Sequence, residues 1–110
     1  MKYIKKFENI QTPEVNDYIK FFIDTIIVGS DDYTQLVNFL NNNIGKIVKI
    51  DIKYFTVAYT NIPFNLIQFF NYNEKTDKYT KPFGVNNFKY VFGKTPEEVQ
   101  IQINANKYNL

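Results

Sequence analysis

Residues 45–59, GKIVKIDIKYFTVAY, decide how this chain folds. From Gly45 the apolar residues recur with period two: Val48, Ile50 and Ile52 alternate with Lys49, Asp51 and Lys53, which predicts a half-buried strand. A tight turn near Lys53 and Tyr54 leads into FTVAYTNI, whose inward set is Phe55, Val57 and Tyr59. Two antiparallel strands are the economical reading of the stretch.

Upstream, VNDYIKFFIDTIIV (15–28) is dense in β-branched and aromatic residues and reads as a strand bent near Asp24. Val15, Asp17, Ile19, Phe21 and Ile23 share one parity, Tyr18, Lys20, Phe22 and Asp24 the other. Gly29-Ser30-Asp31-Asp32 is a turn cluster whose acidic pair caps a helix start. Leu36, Val37, Phe39 and Leu40 then fall on one face of a helix near 34–42, ended by Asn41–Asn43 and Gly45. Residues 1–13 read as an N-terminal arm or short amphipathic helix, with Tyr3, Ile4, Phe7 and Ile10 at helical spacing. An edge strand is the alternative, and Thr12-Pro13 ends either.

Downstream, Pro63 interrupts the pattern, and PFNLIQFFNY (63–72) is a further strand or a packed loop. NEKTDK (73–78) is the most polar stretch and reads as an exposed hairpin loop. A strand centred on Phe88–Phe92 follows, closed by Gly93. Thr95, Pro96 and Glu98 form a capping box that opens a helix over 95–107, through Val99, Ile103 and Lys107. VQIQI alternates strictly and competes as a strand; the cap favours helix. With no repeat and no linker, 1–110 reads as a single domain.

Composition removes several mechanisms. Among 110 residues there is no Cys, no His and, all 13 basic residues being Lys, no Arg. Thiolate nucleophiles, disulfides, His-based triads and the usual zinc sites are therefore excluded, as is a guanidinium fork for phosphate or guanine. Ser30 is the only serine and has nothing beside it to activate it. Asp17, Asp24, Asp31 and Asp32 fit no calcium loop, and four glycines make no phosphate loop. No enzyme mechanism and no cofactor is implied. A net charge of +2 does not by itself call for a polyanion partner. The N-terminus does not resemble a signal peptide and no run approaches the roughly 20 apolar residues of a membrane span, so the expected setting is cytoplasmic, with no membrane partner. Asn, Ile, Lys, Tyr and Phe, whose codons are A/T-rich, are abundant and point to an AT-rich genome such as a phage or a low-GC bacterium.

Four or five short strands with small helices make a mainly β, α+β domain, closed most simply as one small antiparallel barrel. NDYIKFFI, NNIGKIVKIDI and YFTVAYTNI resemble the first three strands of an SH3-like barrel of the KOW and Tudor kind. Gly45 matches the glycine at which the second strand leaves its turn; Asn16 stands where that family has glycine, a departure that Asn tolerates. The resemblance covers residues 15–93, implies an SH3-like barrel over 14–93, and leaves the helix near 34–42 as an insertion. The chain as a whole also resembles small bacteriophage reading frames, a resemblance to which no activity attaches.

Two groups of residues are candidate contacts. Tyr72, Lys75, Lys78, Tyr79 and Lys81 interleave bases with aromatics, as a loop that binds RNA or a single strand does, although Glu74 and Asp77 cancel part of the field. Lys49 and Lys53, with Lys46, fall on one side of the strand pair and can meet phosphates; Asp51 lies between two of them. The plain alternative for both groups is a solvated surface, with edge lysines discouraging aggregation. The first functional expectation is a non-enzymatic protein-binding module, phage-encoded, that occupies a host or virion protein surface as a defence inhibitor or assembly factor does. The alternative is a KOW-type nucleic-acid binder using the Lys- and Tyr-rich loop. Phe64, Leu66, Phe69 and Phe70 exceed what a small barrel buries, which leaves monomer and homodimer both open.

Overall fold

A computed structural model describes residues 12–24 and 31–108, with side chains described to 105. The elements are β1 (Tyr18–Phe22), α1 (Asp31–Asn41), β2 (Gly45–Ile50), β3 (Tyr54–Tyr59), a 3-10 helix (Phe64–Phe69), β4 (Asn71–Asn73), β5 (Lys78–Gly84), β6 (Lys89–Gly93) and α2 (Pro96–Tyr108). The arm expected over 1–13 lies, up to residue 11, outside the described residues, as do residues 25–30 of the expected first strand and turn cluster.

The strands form one antiparallel sheet in the order β4-β5-β3-β2-β1-β6. The expected α+β class holds. Closure does not: among the described residues no ladder joins β5 to β6. The sheet is nevertheless strongly curled. In that order β5 and β6 are four strand steps apart, roughly 19 Å in a flat sheet. Only residues 85–88 connect them, and the path from Gly84 to Lys89 reaches at most about 18 Å. Curling also brings Phe21 of β1 onto Phe83 of β5, with ring centroids 4.2 Å apart.

The concave face holds the core. Ile19, Phe21, Ile47, Phe55, Val57, Tyr59 and Phe83 are buried there, with Leu36 and Leu40 from α1 and Leu66 and Phe70 from the 3-10 segment. The inward set expected for β3 is thus the observed one, and in β1 the parity of Ile19 and Phe21 faces the core. In β2 the expected alternation fails: the buried residue is Ile47, while Ile50 and Ile52 are exposed. A bulge resets the parity: it brings Ile47 and Ile50 to the core side, opposite Val57 and Phe55, while Ile50 stays partly exposed at the strand end and Ile52 lies beyond it in the turn. Ile47 pairs with Val57 and Lys49 with Thr56, so Val48 is the extra residue. The slip puts Lys46 and Lys49 together on the convex face.

Gly45 is indispensable for room rather than for a turn. It pairs with Ile19 inside the sheet, and a Cβ there would collide with Val57 Cγ1 and lie 2.9 Å from Tyr59 Cε1. Asn16 does adopt the left-handed conformation, φ 79°. It donates to the Ile47 carbonyl, and Ile47 N–H donates to that of Asp17. The buried Asp17 accepts from Glu14 N–H and from Lys94 Nζ at 2.9 Å each. Bonds to Glu14 and Asp17 hold the Lys94 ammonium well above the usual lysine range.

Helix α1 starts at Asp31, before the expected 34, so Asp31 and Asp32 stand in its first turn, where carboxylates meet the positive helix end. At its other end Asn41 uses both amide atoms on Ile23, accepting from its N–H and donating to its carbonyl, each at 2.8 Å. Residues 63–72, expected as strand or loop, divide into the 3-10 helix and β4. The single strand expected before Gly93 is two, β5 and β6, split by the turn at 85–87. The C-terminal segment is helix: Glu98 N–H donates to Thr95 Oγ1 at 3.1 Å, and Glu98 Oε1 accepts from Lys94 N–H at 3.0 Å. Val99, fully buried, seats α2 on the sheet beside β1 and β6.

Candidate functional site

Apart from Lys46 and Lys81, the expected contact residues fall at or beside two hairpin tips on different parts of the sheet. At the β4–β5 hairpin, Tyr72 pairs with Tyr79 and Asn73 with Lys78. Asn73 Oδ1 accepts from the backbone of Lys75 and Thr76, fixing the turn, and Asp77 completes it at φ 55°. The Tyr72 and Tyr79 rings lie 5.0 Å apart at the tip, with Lys75 and Lys78 exposed beside them. Tyr72 donates its hydroxyl proton to Asp77 Oδ1, and this bond pushes the Tyr72 phenol upward. One carboxylate that opposes the loop's positive field is thus engaged inside the loop.

Lys81 does not belong to that group. It pairs with Val57 on the core side of the sheet and aims its ammonium at the Phe69 carbonyl, 3.4 Å away. Burial depresses its pKa. Its duty is to satisfy the end of the 3-10 helix.

The β2–β3 hairpin turns over Asp51–Lys53. Asp51 N–H donates to the Tyr54 carbonyl at 2.8 Å, Ile52 N–H to Asp51 Oδ1 at 2.6 Å, and Val85 N–H reaches across to the Lys53 carbonyl at 3.0 Å. The tip is thereby pinned to the β5–β6 connection. Beside the exposed Asp51 it displays apolar side chains: Ile50 and Tyr54 are exposed, and Ile52 is 90% exposed. Lys49 and Lys53 are exposed on either side. Lys46 lies apart, half-buried across from Tyr18, with Nζ 5.7 Å from that ring.

Sequence reasoning singled out Lys49 and Lys53 here but not Ile50, Ile52 or Tyr54. The missed signal is a β-branched residue inside the turn itself, where turn chemistry gives no reason for one. Of the four apolar residues that kept a homodimer open, Leu66 and Phe70 are buried and Phe69 packs against the core, leaving Phe64 at the surface. Among the described residues no cluster of acidic side chains fits a metal ion, and no described helix is long and apolar enough to cross a membrane. Comparison with protein-family models, with curated proteins and with solved structures finds no match for this chain.

Proposed function

We propose that this chain is a non-enzymatic protein-binding module of SH3-like architecture, and that the β2–β3 tip is its contact surface. The architecture is supported by the run of neighbours β1-β2-β3 and by the return of β6 to β1, an SH3-like connectivity left open at the β5–β6 seam. The contact surface rests on one observation: Ile52 stands 90% exposed on a tip pinned by three hydrogen bonds, between the exposed Ile50 and Tyr54. Burying such a side chain contributes roughly 1.5–3 kcal/mol, and a rigid tip loses little conformational entropy on docking. Lys49 and Lys53 flank it as rim charges, which steer encounter more than they add affinity. The abundance of Asn, Ile, Lys, Tyr and Phe fits an AT-rich source, a phage or a low-GC bacterium, and in the phage case a host or virion protein as partner.

The test is capture from bacterial lysate with nuclease present, comparing the native chain with Ile52→Asp. A protein partner recovered by the native chain and lost with Ile52→Asp is expected; equal recovery by both overturns the assignment.

The Tyr72–Tyr79 pair between Lys75 and Lys78 favours a second reading, stacking of single-stranded nucleic acid on the β4–β5 hairpin. It requires affinity that falls with salt and weakens when Lys75 and Lys78 become Ala. An absence of binding at low salt overturns it.

A further inference from the structure

A groove of about 1580 Å³ runs between the outer end of β1, the residues after α1, the start of β6 and one face of α2. Lys20 lines it, although it lies on the strand YIKFF and is only 6% exposed. Its ammonium donates to the Phe21 carbonyl at 2.9 Å and sits 4.2 Å from the Phe22 ring centroid. Among the described residues no carboxylate lies within ion-pair distance of it. A charge withdrawn from water without a counter-ion is costly, and burial accordingly depresses the Lys20 pKa. The carbonyl and the ring offset part of that cost and engage one of three N–H donors.

A second cation shares the groove. Lys20 pairs with Val91 and Phe22 with Lys89, so Lys20 and Lys89 stand on one face of the sheet as diagonal neighbours, roughly 7–8 Å apart at the backbone. Phe22, Val91 and Ile103 supply an apolar floor. The wall is preformed, since Asn41 fastens Ile23 through two hydrogen bonds. Asp24, exposed, is the one carboxylate among the described lining residues.

We propose that the groove binds an amphipathic organic anion, a carboxylate or phosphate joined to an apolar body, with its head group between Lys20 and Lys89 and its body along Phe22, Val91 and Ile103. This site is separate from the protein-binding tip and stands or falls independently of it. A head group there supplies the missing counter-ion, and the half-apolar lining favours an anion with a tail over a free inorganic ion.

The test is titration of the full chain with octanoate, octyl phosphate and octanol, followed by proton–nitrogen NMR. Saturable shifts are expected at Lys20–Ile23 and Lys89–Val91 with one or both anions, the tighter of the two identifying the head group. Octanol should bind roughly tenfold more weakly or worse, as loss of a charge-assisted pair implies. Lys20→Met should cost a similar factor. Lys89→Ala, an exposed change that leaves the fold alone, should weaken binding about threefold or more. Octanol binding as tightly as the anions, unchanged affinity in Lys89→Ala, shifts confined to other regions, or no saturable binding each overturn the proposal.

Discussion

The two hairpin tips solve the same local problem in opposite ways. At β4–β5 the turn is polar and satisfied from within: Asn73 ties Lys75 and Thr76, and Tyr72 is tied to Asp77. At β2–β3 the turn is held by two backbone bonds and the Asp51 carboxylate and leaves Ile50, Ile52 and Tyr54 exposed. A polar loop that satisfies itself needs no partner, whereas a loop held in place with exposed apolar side chains has surface still to bury. Charge and aromatic content made the first loop conspicuous, but exposure gives the second the stronger claim.

That contrast places the stability of the β2–β3 hairpin at its root and its binding at its tip. Gly45→Ala at the root should destabilise the protein by about 1–3 kcal/mol through overpacking against Val57 and Tyr59. Chemical denaturation would show it, and an unchanged midpoint would mean that β2 and β3 can separate freely at that point. Opposite in sign, Tyr59→Phe should raise stability by about 1 kcal/mol, because the Tyr59 hydroxyl is the buried polar side-chain atom without a hydrogen-bond partner among the described residues. Burial drives its phenol well above the usual tyrosine range, so the ring is neutral and the change removes no charge.

Smaller effects separate the tips from each other. Asn73→Ala should cost about 0.5–1.5 kcal/mol by removing both turn bonds, with partner capture retained. Ile52→Asp should shift stability by less than about 0.5 kcal/mol while abolishing capture. Thermal melts of the two variants beside the capture assay decide the matter; a destabilised Ile52→Asp would show that the tip supports the fold rather than a partner.

Much of the fold was legible because strand parity and helix caps are local. Ile19, Phe21, Phe55, Val57 and Tyr59 alternate cleanly, and Thr95-Pro96 with Glu98 opens α2 as its residues require. The bulge at Val48 was not legible. One inserted residue exchanges faces without altering composition, so Val48 read as core in place of Ile47, and Ile52 read as part of the strand although it lies in the turn beyond it. Barrel closure was expected and is not found, for a different reason: whether β5 and β6 pair depends on how residues 85–88 cross between them, a long-range matter that short alternating strands do not encode. Of the candidate site, the exposed hairpin carrying Lys75 and Lys78 followed from polarity, whereas Lys49 and Lys53 were read on a strand face rather than flanking a tip. The diversion of Lys81 to the Phe69 carbonyl did not, because it depends on a 3-10 helix formed elsewhere. Lys20 was readable only as a lysine within an apolar strand, and its lack of a carboxylate partner among the described residues emerged once α2 and β6 were in place around it.

The most direct test places a photo-crosslinking phenylalanine analogue at position 52 in one protein and at position 74 in another, with illumination in bacterial cells producing each. A discrete protein adduct from position 52 and none from position 74 is the expected result. Adducts from position 74 with none from position 52 would contradict it and move the binding surface to the β4–β5 hairpin.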